Sequence, residues 1–98
     1  MLDFQWDMGN QAHTIDHYPR RENTIQEVES LFADPAPLAL PDPAHSGQED
    51  RFKLVARSNR NRLLLVVYVI RNGLIRPISC RPASQNERNR YAQINQKP

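Results

Sequence analysis

The stretch that decides the fold is Arg51–Ser84, RFKLVARSNRNRLLLVVYVIRNGLIRPISCRPAS. Phe52, Leu54 and Ala56 alternate with Lys53, Val55 and Arg57, the period of a half-buried strand. Ser58 to Asn61 forms a turn. Leu63 to Ile70 is apolar throughout and rich in β-branched residues, as expected of a central strand buried on both faces. Asn72-Gly73 is the strongest short-range hairpin signal, since a type I′ turn needs positive φ at both central residues. The next strand runs from Leu74 to about Arg81. Pro77 has no N–H for a ladder, so this strand has one side unpaired or a bulge there. Seven arginines lie along the stretch: Arg51, Arg57, Arg60, Arg62, Arg71, Arg76 and Arg81. A sheet with so many guanidinium groups needs an anionic partner or abundant solvent.

Upstream of the sheet, Leu2, Phe4 and Trp6 alternate with Asp3 and Gln5, which predicts a short strand. Asp7 caps a weak helix from Met8 to about His17. Thr24-Ile25-Gln26-Glu27 fits a capping box, and Ile25, Val28, Leu31 and Phe32 share one face of a helix to about Ala33. Asp34-Pro35 ends it. Prolines at 35, 37, 41 and 43 mark a loop, in which Leu38 and Leu40 form a brief edge strand. Downstream, Ser84-Gln85-Asn86-Glu87 is a second capping box, opening a helix from Gln85 to about Gln96 with Arg88, Tyr91 and Ile94 along one stripe. The fold class is α+β: an antiparallel sheet with two N-terminal helices on one side and a C-terminal helix. Ninety-eight residues, without a dividing linker, make a single domain, 1–98.

The net charge of +2 hides an asymmetry. Residues 1–50 hold two basic and ten acidic groups, a balance of −8. Residues 51–98 hold eleven basic groups and one acidic group, Glu87, a balance of +10. This points to an anionic partner for the second half, most often nucleic acid. The bland explanation is that the acidic half folds over the basic half and neutralises it. Cys80 is the sole cysteine, so no internal disulfide forms. The apolar run Leu63–Ile70 is far shorter than the ~18 residues of a membrane helix. No signal-peptide pattern opens the chain, and a cytoplasmic location without membrane association is expected.

His13 and His17 stand four apart, but Thr14 occupies the place of the glutamate in a zinc-protease pattern. Both are read as structural; no metal and no cofactor are expected. Cys80 reads as a small packing residue. The arginines are the informative set. By parity, Arg76 and Cys80 share one strand face, and Lys53 and Arg57 share a face of theirs. Lys53, Arg57 and Arg81 with Arg88, Arg90 and Tyr91 form a plausible anion-binding patch. Guanidinium forks match phosphate oxygens, and Tyr91 can stack on a base or hydrogen-bond a phosphate.

These residues resemble a known family. Phe4-Gln5-Trp6-Asp7, His13-Thr14-Ile15-Asp16-His17 and Phe32-Ala33-Asp34-Pro35 look like the BrnT toxins. So do Pro41 to Ser46, Glu49-Asp50-Arg51-Phe52, Val55-Ala56-Arg57-Ser58, Ile75 to Ala83 and Glu87 to Tyr91. The sequence departs from the pattern at His17-Tyr18-Pro19, where His-Gly-Val is usual, and at Pro77. The resemblance implies a RelE-like ribonuclease fold and the toxin role of a type II toxin–antitoxin pair. It implies a BrnA-like ribbon-helix-helix antitoxin as partner, in a heterotetramer that binds operator DNA and represses its own operon. The expected activity is metal-independent RNA cleavage, on free RNA or on the ribosome, that inhibits translation.

That chemistry needs positive charge where the phosphorane forms, assigned to Arg81 with Arg57 and Arg76 in support. It needs two proton transfers, for which His45 is one candidate and Tyr91 or Lys53 the other. Arg60, Arg62, Arg88 and Arg90, with Lys53, are expected to hold RNA. Glu87 is read as the acid of its capping box. Two further readings stay open: a non-catalytic RNA- or ribosome-binding module, and an antitoxin-binding or repressor subunit without toxicity.

Overall fold

A computed structural model describes residues 2–15, 23–41 and 49–96. Its centre is a four-stranded antiparallel sheet in the order β1 (Leu38–Pro41), β2 (Phe52–Arg57), β3 (Leu63–Arg71), β4 (Leu74–Pro82). Asn72 and Gly73 adopt φ of 53° and 76°, as the type I′ turn requires. The β2–β3 turn is closed by Ser58 N–H donating to Arg62 O at 2.8 Å and Asn61 N–H donating to Ser58 O at 2.9 Å, with Asn61 at φ 61°. Asparagine tolerates this left-handed geometry better than most residues.

The strand containing Pro77 has both features its proline demands. It is an edge strand, and it carries a bulge: Val67 pairs with Ser79 but Tyr68 with Pro77, leaving Ile78 as the extra residue. Its outer edge is sealed from within the chain. Gln5 N–H donates to Ile75 O at 2.8 Å, and Ile75 N–H to Asp3 O at 3.0 Å. Asn10 Nδ2 donates to Pro77 O at 2.9 Å, and Asn23 Nδ2 to Cys80 O at 3.2 Å. The strand expected over Leu2–Trp6 shrinks to a single parallel bridge, Phe4 with Ile75. The cap at Asp7 turns the chain into helix immediately afterwards.

Helix α1 (Met8–Thr14) has a full capping box, with Asp7 accepting from Asn10 N–H and Asn10 answering to Asp7 N–H. The structure ends this helix at Thr14; the continuation expected to His17 lies outside the described residues. Helix α2 (Ile25–Ser30) continues as a 3₁₀ turn, Leu31–Ala33. Thr24 caps it through Glu27 N–H at 3.0 Å, but the Glu27 carboxylate does not return to Thr24 as a capping box would. It reaches the β2–β3 turn instead. Helix α3 (Gln85–Ile94) has both halves of its box, Ser84 with Glu87. Of its expected stripe, only Tyr91 is buried; Arg88 and Ile94 face solvent.

Two cores result, one on each face of the sheet. Val28, Leu31, Leu54, Ala56, Leu64, Val66 and Cys80 form the first, joined by Trp6, Ile15, Phe32 and Tyr68. Leu38, Val55, Leu63, Leu65, Ala83 and Tyr91 form the second. The N-terminal helices thus cover one face and α3 the other. β3 is buried on both faces over Leu63–Val66, while Ile70 is 51% exposed. Each fully buried aliphatic side chain, such as Leu31 or Leu64, stabilises the fold by roughly 1.5–3 kcal/mol.

Candidate functional site

The bulge at Ile78 changes where the β4 arginines point. Residues directly opposite one another share a sheet face. Arg76 pairs with Val69 and Arg81 with Leu65, whereas Cys80 pairs with Val66. The expectation that Arg76 and Cys80 share a face is therefore overturned, because one extra residue reverses the alternation. Arg76 and Arg81 lie on the α3 face, and so do Lys53, opposite Val67, and Arg57, opposite Leu63. Cys80 belongs to the first core, where burial pushes its thiol up to about 12.

Arg57 is the most elaborately held of these residues. Its backbone N–H donates to Asp34 Oδ2 at 2.8 Å. Its guanidinium donates to Asn61 Oδ1 at 2.9 Å and stands 5.7 Å from the centre of the Tyr91 ring. Tyr91 Oη donates in turn to Asp34 Oδ2 at 2.6 Å, and Ala36 N–H donates to Asp34 Oδ1 at 2.8 Å. Burial works against the Asp34 charge, but the bonds from Tyr91, Arg57 and Ala36 outweigh it and hold the carboxyl below its usual range. Burial and the bond to Asp34 push the Tyr91 phenol up. Tyr91 is thus a neutral, 5% exposed ring that fixes the guanidinium above it. Arg57 makes no ion pair with a carboxylate among the described residues, and it lines two neighbouring clefts.

Several other expected site residues are engaged by acids. Arg81 forks Glu87 at 2.9 and 3.0 Å, tying the end of β4 to the start of α3. Arg76 forks Asp7 at 2.7 and 3.2 Å; its side chain is 13% exposed, and its bond draws the Asp7 carboxyl down to about 2. Arg62 and Arg60, read as RNA contacts, both reach Glu27, which has no exposed surface. Arg71 pairs with Glu49. The acidic first half therefore does neutralise part of the basic second half. Lys53 is half-buried on β2. Arg88 and Arg90 project from α3 into solvent, with no acidic partner among the described residues. His45 and His17 lie outside the described residues; His13 is exposed on α1. Among the described residues, no group of three His, Cys, Asp or Glu comes together as a metal site.

The sequence reading brought Arg57 and Tyr91 into one patch, and the fold places them together. It missed Asp34, which binds both, and Asn61, which orients the guanidinium. Asp34 carried only the signal of a helix terminator before Pro35. Glu27 was hidden behind its role in the Thr24 capping pattern.

A family model described as "Ribonuclease toxin, BrnT, of type II toxin-antitoxin system" matches residues 6–87. The match takes in α1, α2, the whole sheet and the Arg81–Glu87 fork, and it stops before Tyr91. No curated protein matches the chain.

Proposed function

The chain belongs to the BrnT family of type II toxin–antitoxin ribonuclease toxins, and from that membership we propose that it cuts RNA by metal-independent transesterification on the α3 face of its sheet. A ribose 2′-oxygen bonds to the adjacent phosphorus as the bond to the 5′-oxygen breaks. The products are a 2′,3′-cyclic phosphate and a 5′-hydroxyl. The observation that carries the proposal is the Arg57 guanidinium, fixed over Tyr91 on the face that also holds Lys53, Arg76 and Arg81. A cation that needs no reorganisation is what a developing phosphorane charge requires. Arg57 and Arg81 are assigned to that charge, with Arg76 adding to the field. The 2′-hydroxyl proton goes to His45, and the departing 5′-oxygen takes a proton from Lys53 to become the 5′-hydroxyl. Tyr91 serves as the support of Arg57, because its own hydroxyl is committed to Asp34. Lys53, Arg60, Arg62, Arg88 and Arg90 are assigned to the RNA backbone.

The family's toxin–antitoxin character means a protein antitoxin as partner. We assign this partner to the BrnA-like ribbon-helix-helix class, in a heterotetramer that represses its own operon in the cytoplasm. The test is cleavage of RNA by the purified protein in EDTA, with the ends mapped and Arg57→Ala and Arg81→Ala as controls. A cell-free translation assay repeats it with ribosomes present. Retained binding without cleavage in either format sinks the nuclease mechanism. The pairing of Arg76 and Arg81 with carboxylates favours one second reading, a face that binds RNA without cutting it. The same assay separates the two.

A further inference from the structure

Two clefts meet at Arg57, and their linings differ in kind. One, of about 360 Å³, is lined by Arg57, Asn61, Arg62, Leu63, Pro82 and Arg88 among others, and no carboxylate among the described residues lines it. Arg62 is answered by Glu27, while Arg57 and Arg88 have no carboxylate partner among the described residues. Aliphatic walls beside two such guanidinium groups concentrate a positive field. The other cleft, of about 460 Å³, is lined by Asp34, Arg57, Ser58, Asn59, Tyr91 and Asn95 among others. Its carboxylate already accepts from Tyr91 and from the backbones of Arg57 and Ala36, so it adds little demand for a cation. What remains is an apolar ring with amides at the rim, on the scale of small-ligand sites.

We propose that these clefts together form a single-nucleotide subsite, the basic cleft taking a backbone phosphate and the amide-rimmed cleft taking the base one ribose away. This deepens the RNA reading given above and rests on it. Arg57 is the shared wall: it donates to Asn61 on one side and lies over Tyr91 on the other. Guanidinium groups bind phosphate oxygens through charge-assisted hydrogen bonds. Amide side chains read the edges of unstacked bases. Arg88 therefore supplies sequence-independent affinity, and Asn59 supplies base preference.

The test uses fluorescence anisotropy with 2′-O-methyl RNA octamers of A, C or U, which have no free 2′-hydroxyl to attack with. The full chain is compared with Arg88→Gln and Asn59→Ala; both side chains are exposed, and unchanged melting temperatures confirm folding. Arg88→Gln is expected to weaken all three octamers alike, roughly tenfold, and to lower the salt slope by about 0.7, one single-strand phosphate contact. Asn59→Ala is expected to alter the ranking of the bases by about fivefold and to leave the salt slope unchanged. Wild-type binding by both variants overturns the proposal. So does binding of octaglutamate that is lost in Arg88→Gln and intact in Asn59→Ala, with no base ranking to alter, since it assigns the cleft to an acidic peptide. If unmethylated RNA is not cut while both signatures appear, the nuclease reading falls and the subsite stands.

Discussion

Replacing Glu27 by glutamine removes one charge from a buried knot. Glu27 has no exposed surface, and its carboxylate accepts from Ser58 Oγ at 2.6 Å, from Arg62 Nε at 2.8 Å and again from Arg62, and from Arg60 at 3.3 Å. A carboxylate offers only acceptor sites, which suits this set of donors. An amide turns an N–H group toward Ser58 or Arg62 and creates a donor–donor clash. A lost hydrogen bond to a charged group costs about 1.5–3 kcal/mol, and a broken buried pair about 3–5 kcal/mol. The Arg62 side chain is 24% exposed and that of Arg60 53%, so water offsets part of the loss. About 2–3 kcal/mol is expected for Glu27→Gln, or a fall in Tm of roughly 10–20 °C for a domain of this size.

Urea unfolding followed by circular dichroism measures this loss. A cycle with Arg62→Met should give a coupling of about 1–3 kcal/mol. Burial pushes the Glu27 carboxyl up, but hydrogen bonds from Arg62 and Ser58 and the charges of Arg62 and Arg60 bring it below its usual 4.5. A carboxyl lower in the folded state stabilises above its unfolded value, and the contribution is lost as pH falls through the folded one. The gap between wild type and Glu27→Gln should therefore narrow below about pH 4. The same knot holds the turn that carries Asn61, so RNA binding should weaken along with stability. A loss under about 0.5 kcal/mol, or no coupling to Arg62, refutes the knot.

Three further outcomes are expected. Asp7 falls from 3.8 to about 2 because Arg76 bonds it, so its contribution is lost between those values on acidification; Asp7→Asn should flatten the acid limb there, and an unchanged limb counts against the pair. Tyr91→Phe removes the donor to Asp34 and should cost about 1–2 kcal/mol by urea unfolding, while leaving a ring beneath Arg57; a neutral effect refutes the anchoring role. With its thiol near 12, native Cys80 should resist iodoacetamide at pH 8 and react once unfolded; native labelling at the rate of a free thiol contradicts its burial.

What was legible in the sequence was local chemistry. Asn72-Gly73, the apolar run of β3 and the Ser84–Glu87 box each specify their structure through neighbours a few residues away. Pro77 announced an edge or a bulge, and both are present. The arginine faces were not legible, because Pro77 is satisfied by an unpaired edge or by a bulge, and only a bulge reverses every side chain beyond it. Glu27 satisfied a helix-start pattern, yet its carboxylate found stronger donors 31–35 residues away. The charge asymmetry announced that basic groups seek anions. Only the fold shows that Arg60, Arg62, Arg71 and Arg76 find them within the chain, which leaves Arg57 and Arg88 more open to an outside partner.

The sealed edge of β4 bears on how copies of this protein behave in a crowd. An unsealed strand is a template on which another chain can crystallise a further strand, and so on without limit. Here one border of the sheet is closed by the Asp3–Gln5 backbone and the amides of Asn10 and Asn23. The other border is β1, four residues long, preceded by Pro37 and ended by Pro41, so it offers an incoming strand few N–H donors. The sheet therefore carries chain terminators at both margins. Any partner it takes is steered to its faces and clefts rather than into a growing ribbon.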